Sequence, residues 1–308
     1  MAETSPPLHG PRLALALFYM ACMGLIWGLQ FSLAKVATQG GIHPLGFTLA
    51  VSICAATLLA AVAWLRGAEI PLERRHLVYT VLAGATAIAI PNSIAVLVVS
   101  HVPAGLAAVL NTLSPVITYA MALAVGMERP QRLRLLGIGF GIAGALLVVL
   151  PRASLPDPAM TPWVLLCLLV PFFYALSNVY IARARPAGVD SIGLAAGMQL
   201  GAAACILPLA LATGSVHMPL PPAGPADWAL LVQCGFGGIG SLLFFEVLRL
   251  AGPVFFSQTG FLVTLAGVFW GWLLFGETHS AYVWASMAAI FAGLALVTRA
   301  GRVSGSRG

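Results

Sequence analysis

Charged residues in this chain fall in short clusters, and the apolar stretches between them run to about 20 residues, the length a helix needs to cross a bilayer core. That spacing constrains the fold more than any motif does. Only 8% of the 308 residues are charged and 60% are hydrophobic, with a mean hydropathy of +0.98. Soluble domains carry about a quarter charged residues, so such a chain cannot cover a water-facing surface. A soluble enzyme, a nucleic-acid binder and a disordered protein are excluded. The fold class is all-α integral membrane.

The apolar pattern predicts ten transmembrane helices, at 12–34, 44–65, 77–99, 103–126, 132–150, 162–182, 189–213, 228–250, 253–275 and 280–299. Pro44, Pro103, Pro162 and Pro253 stand at helix starts, where a missing backbone donor costs nothing. No cleavable signal peptide is expected, because residues 1–11 hold no basic run and the first apolar stretch is long enough to remain as a span. Basic residues set the orientation. With the N-terminus in the cytoplasm, 13 of the 15 Lys and Arg residues fall in cytoplasmic links and tails, and only Lys35 and Arg152 fall outside. Both termini are then cytoplasmic, and dropping one helix would scramble the alternation. Lys35 reads as the end of the first span, snorkelling to the outer surface.

The chain repeats. PAGLAAVLNTLSPVITYAMALAVG (103–126) and PVFFSQTGFLVTLAGVFWGWLLFG (253–276) both begin with Pro and end with Gly at an offset of 150 residues. Glu128 and Glu277 soon follow, then spans carrying AGALLV (143–148) and AGLALV (292–297). The halves are 12–150 and 162–300. Five helices per half is an odd number, so the second half enters the bilayer from the opposite side. Two five-helix inverted-topology repeats are an architecture on which secondary transporters build alternating access.

LIWGLQFSLAK (25–35), PAGLAAVLNTLSPVITYAMAL (103–123), Gly126 and Glu128 carry a resemblance to the EamA family of the drug/metabolite transporter superfamily, over about residues 12–300. The resemblance implies a transporter of the bacterial cytoplasmic (inner) membrane, often an exporter of amino acids or related metabolites. It also implies a central cavity lined by the first, third, fourth, sixth, eighth and ninth helices.

Motifs suggestive of other chemistry lack their context. Gly139-Phe-Gly141-Ile-Ala-Gly144 and Gly235-Phe-Gly237-Gly-Ile-Gly240 match a dinucleotide pattern, yet neither follows a strand. Gly137 and Gly141 instead suit close helix packing. Ser32-Leu-Ala-Lys35 lacks the companion motifs of acyl-serine enzymes. Cys22, Cys54, Cys167, Cys205 and Cys234 lie in spans, without metal-ligand spacing, and the six histidines all fall in links or the N-terminal tail. No cofactor and no metal is expected. A membrane enzyme or sensory subunit is the alternative outside transport.

Polar residues within spans are the candidates for contact with a small-molecule substrate. Asn111, Ser114 and Thr118 share a helix face around Pro115, which frees a backbone carbonyl. Trp27 and Gln30 share a face with Phe31; Tyr174 and Asn178 follow Pro171, and Tyr174 falls opposite Trp27 when the halves are aligned. Asn92 and Ser93 follow Pro91, and Gln258, Thr264, Gln199, Gln233 and Ser241 complete the set. The expected substrate-binding residues are Trp27, Gln30, Asn92, Asn111, Ser114, Tyr174, Asn178 and Gln258. At offset 150, Asn111 and Pro115 become Phe261 and Leu265, which gives one polar wall and one apolar wall and suits an amphipathic solute. Apart from Asp190 at the very start of the seventh span, Glu246 is the one acid within a span, near its cytoplasmic end, and Arg249 at i+3 offers it a local partner. With no Lys or Arg at mid-membrane, a phosphorylated solute would remain unpaired. Neutral or zwitterionic amphipathic metabolites remain, amino acids or relatives among them with export the expected direction, and drug-like compounds are the alternative. The partners are that solute and the lipid bilayer, with no nucleic acid, and monomer or homodimer both stay open.

The orientation has a direct check. Reporter fusions at 70–75, 129–134, 184–188 and the C-terminus should score cytoplasmic, and fusions at 153–160 and 216–224 periplasmic. A periplasmic C-terminus would remove the ten-span pattern.

Overall fold

The computed structural model describes residues 11–67, 73–149, 157–186, 188–217, 222, 224–256 and 259–305. Among these residues every regular element is helical. The first half comprises α1 (Pro11–Gln39), α2 (Pro44–Leu65), α3 (Arg74–Gly84), a π-helical turn (Ala85–Ala89), α4 (Ile90–Val99), α5 (Ala104–Asn111), α6 (Ser114–Ala124) and α7 (Arg132–Val149). The second opens with a 3₁₀ turn (Pro158–Met160) and continues through α8 (Thr161–Cys167), α9 (Leu169–Ala184), α10 (Ser191–Ala212), α11 (Pro225–Phe256), α12 (Thr259–Phe275) and α13 (Ala281–Gly305).

Six stretches of the described residues are long and apolar enough to cross a membrane: Ala14–Gln39, Pro44–Leu65, Arg74–Val99, Ala104–Ala124, Pro158–Ala184 and Ser191–Ala212. Thr259–Phe275 and Ala281–Leu296 are shorter apolar helices. Three of the six are interrupted just before a proline. The π turn precedes Pro91, the α5–α6 break precedes Pro115, and the α8–α9 break precedes Pro171. Proline removes one backbone donor and its ring crowds the carbonyl four residues earlier, so the ladder widens or breaks there.

Several sequence boundaries shift, among them the start of the ninth helix, at Thr259 rather than 253, and the end of the tenth, at Gly305 rather than 299. The first helix continues past 34 to Gln39, which brings Lys35 inside its last turns. The eighth helix does not stop at 250; α11 runs through Pro253 to Phe256. Gly252 followed by Pro253 is a local stop signal, yet a proline is tolerated in a membrane helix when neighbours satisfy the freed groups.

The outer surface carries large exposed apolar side chains, including Phe18, Leu136 and Leu211, with Trp64 and Trp228 near helix ends where aromatic rings meet lipid headgroups. Inside, α1 packs along α11 and α12, α2 along α10, α7 along α13, α9 against α4 and α6, and α5 against α12. α10 also packs against α3, and α11 against α2.

Glycines set several of these approaches. A Cβ on Gly293 of α13 would lie 2.6 Å from the Gly137 carbonyl oxygen and 3.2 Å from the Gly141 nitrogen of α7. The Gly137/Gly141 pair therefore works as a helix contact. On α1, a Cβ on Gly28 would lie 2.5 Å from Ala266 Cβ and 2.7 Å from the Gly267 nitrogen of α12. Gly139 has open space where its Cβ would be. Gly28→Val should therefore cost about 1–3 kcal/mol, the range for overpacking, while Gly139→Ala should leave stability unchanged. Melting temperatures of the two purified variants check this; an unchanged Gly28→Val would remove the α1–α12 seam as a tight contact.

Candidate functional site

The three proline-linked breaks adjoin one cavity of about 560 Å³. α1 contributes Trp27 and Gln30, α4 Asn92, the end of α5 Asn111, and the start of α6 Ser114 and Pro115. α9 contributes Tyr174 and Asn178, and α12 Thr259, Gly260, Val263 and Thr264. Seven of the eight residues expected from sequence thus line one space; Gln258 lies outside the described residues. None of the described lining residues is charged. A chamber of about 50 Å³ shares Gln30, Asn92 and Tyr174 with this cavity and continues along Phe31, Phe47, Val51 and Val170 to Ala34 and Val99. Gln233 of α11 lines this chamber.

Several of these polar residues also join helices. The Tyr174 hydroxyl donates to Asn92 Oδ1 at 2.6 Å, tying α9 to α4. Asn178 Nδ2 donates to Thr118 Oγ1 at 3.2 Å, and Thr118 donates to the Ser114 carbonyl at 2.7 Å. Thr118 therefore braces Asn178. Asn111 Oδ1 and Gln233 Oε1 differ: each is buried without a hydrogen-bond partner among the described residues. An acceptor in that state costs free energy until something donates to it. Ser93 Oγ and Gln199 Oε1 are likewise buried and unpartnered, but neither residue lines the cavity or the chamber. The Ser241 and Arg249 side chains lie outside the described residues. Trp27 packs against Phe244, with ring centroids 6.4 Å apart, and its ring approaches Gly240, so it faces inward.

Two features were not read from the sequence. The hydroxyls of Thr112 and Thr264 hydrogen-bond across the α5–α12 contact. At one end of the bundle Lys35 does not snorkel outward: its Nζ lies 2.7 Å from Glu277 Oε1, with the two side chains only 13% and 6% exposed. The same Oε1 accepts from the Ala104 N–H at 2.7 Å, and Oε2 from the Gly105 N–H at 3.0 Å. The carboxylate thus meets both a cation and the positive end of α5. Lys35 Nζ also stands 4.6 Å from the centre of the Phe275 ring. Burial, reinforced by Lys35 and opposed by Glu277, holds the neighbouring His279 imidazole below its ordinary pKa. The available signal was a lone lysine on the sparsely charged face together with a lone acid just after a long apolar span.

Among the described residues no cluster of His, Cys, Asp and Glu could hold a metal ion. The model of the EamA-like transporter family matches residues 14–150 and again 161–299. The chain is 26% identical over 279 residues to the "Uncharacterized inner membrane transporter YedA" of Escherichia coli (strain K12), covering 89% of this chain and 87% of that one. The YedA sequence of Escherichia coli O157:H7 matches to the same extent. A solved crystal structure aligns over 94% of this chain and 99% of its own with a TM-score of 0.58 and 18% identity, a likeness of fold.

The unpartnered amide oxygen of Asn111 allows a test that separates contact with a solute from helix bridging. Asn111→Leu keeps the volume and removes donor and acceptor. Melting temperature should hold or rise slightly, and the apparent KM for a transported solute should rise several-fold, about 1.4 kcal/mol corresponding to tenfold in affinity. An unchanged KM with a lowered melting temperature would make Asn111 a packing residue.

Proposed function

The chain belongs to the EamA-like transporter family, and we propose that it moves small neutral or zwitterionic amphipathic metabolites, amino acids or their relatives, out of the cell by alternating access. It is a multi-pass membrane protein related to an inner membrane transporter. The single observation that carries the reading is the uncharged, amide- and hydroxyl-lined cavity built from both halves. Unpartnered amide oxygens suit an ammonium group, the Asn92 amide left over from its bond to Tyr174 suits a carboxylate, and the Phe31–Val170 chamber suits an apolar side chain.

Helix packing supports alternation between two states. With α7, α11, α12 and α13 added to the six long apolar stretches, each half crosses the membrane five times. Exchanging the halves turns the α1–α12 contact into α9–α6, α1–α11 into α9–α4, and α3–α10 into α11–α2. The α2–α10, α5–α12 and α7–α13 contacts map onto themselves. That is the pattern of a pseudo-two-fold axis, and five crossings per half make it an inverted one. It allows a second packing of the same elements, open to the other side.

Uptake into vesicles reconstituted with purified protein, across a panel of amino acids, sugars, nucleosides and cationic drugs, tests this. Flux of amino acids above protein-free vesicles is expected. Flux of the cationic drugs alone would replace the metabolite reading with drug efflux, and no flux of any solute by folded protein would remove transport.

A further inference from the structure

We propose that Lys35, Glu277 and the first turn of α5 form a latch that closes one face of the pathway in this structure and must part for a solute to pass; the proposal rests on the transport reading above. Lys35 belongs to α1 and Ala104 and Gly105 to α5, all in the first half, whereas Glu277 follows α12 in the second. The latch therefore joins the two bodies that alternating access must separate. It also sits where the small chamber stops. Ala34, the last chamber residue on α1, directly precedes Lys35, and Val99 ends α4 just before the link into α5.

The local fold aims Glu277 inward. α12 ends at Gly276 in a left-handed conformation, φ +63°, where a residue without Cβ is favoured. The Gly276 N–H donates to the Trp272 carbonyl at 2.9 Å, and the chain doubles back so that the Glu277 N–H reaches the Gly271 carbonyl at 3.3 Å. Gly105 and Gly271 leave room for this return: a Cβ on Gly105 would lie 2.7 Å from His279 Nε2, and one on Gly271 would crowd the Glu277 carboxylate. Every charged or titratable group named around the carboxylate, Lys35 and His279, comes from this same corner.

The corresponding turn at the other face takes a different path. α6 also ends at a left-handed glycine, Gly126 with φ +73°. Glu128 then turns outward, its side chain 42% exposed and 2.9 Å from Arg134. One face is latched and its counterpart is not, as expected of a protein resting open to one side only. A charged latch also suits a reversible closure: when it parts, both ions regain water, which offsets most of the lost attraction.

Accessibility reads the latch without any substrate. In a chain whose five cysteines are replaced, Ser114→Cys places a reporter in the large cavity, and a membrane-impermeant maleimide is added from the face that carries Lys35. The Lys35→Met/Glu277→Gln double variant removes both charges while leaving an oxygen for the two α5 N–H groups; Glu277→Asp shortens the reach if the double variant folds poorly. Both should raise the labelling rate several-fold over the parent, with rates normalised to folded protein. Glu128→Gln, at the opposite face, should stay at or below the parent rate. Unchanged labelling in folded double and Asp variants, or an equal rise in Glu128→Gln, would overturn the latch. Failure of the uptake panel would remove the transport reading and leave this accessibility result standing.

Discussion

A bilayer core has no water to offer an unpaired backbone group, so every interruption of a spanning helix must be enclosed by protein or open onto a wet cavity. The architecture of this chain follows from where it breaks that rule and how it compensates. Pro91, Pro115 and Pro171 interrupt three spans of three different neighbours, and all three interruptions gather around the cavity that holds Asn92, Asn111 and Tyr174. Of the unbroken helices, α1 and α12 complete its wall, whereas α2 and α10 contribute nothing to it. Breaks placed singly against lipid would be costly. Gathered together, they bring Asn92, Asn111, Ser114 and Tyr174 into one space in a chain with almost no charge to place there.

Much of this was legible from sequence because membrane constraints are one-dimensional. Span length and the Pro-to-Gly repeat each depend on local stretches of chain. So did the cavity residues, since a polar side chain near mid-span has few places to go other than inward. The pairings were not legible. Nothing local says that Tyr174 donates to Asn92 or that Asn178 leans on Thr118, because those bonds join residues 82 and 60 positions apart. Lys35 was misread for the same reason. An isolated lysine near a helix end snorkels by default, and only the fold brings Glu277, 242 residues away, within 2.7 Å of it. The α11 boundary was misplaced because Gly252 and Pro253 carry stop and start signals locally, while a membrane helix continues through a proline where its neighbours satisfy the freed backbone groups.

Charge is used sparingly and where it can act. The cavity lining carries none, and the buried ion pair sits at one end of the bundle, braced by backbone N–H groups as well as by its partner. Breaking a buried pair by removing a single partner costs about 3–5 kcal/mol, whereas separating both ions into water is far cheaper. The same two residues can thus be sensitive to the loss of either one and still yield to a concerted movement.

The halves correspond in packing, yet not in stiffness. Where α5 and α6 meet at a two-residue turn beneath Pro115, their counterpart α12 runs unbroken from Thr259 to Phe275, with Leu265 where a proline would match. One member of the pair is a jointed strut and the other a straight rod. Bending can concentrate at Thr112–Leu113 at little elastic cost, while α12 must tilt or slide as a whole. Under the alternating access proposed above, the two directions of rocking would be mechanically unequal, with the jointed side yielding first.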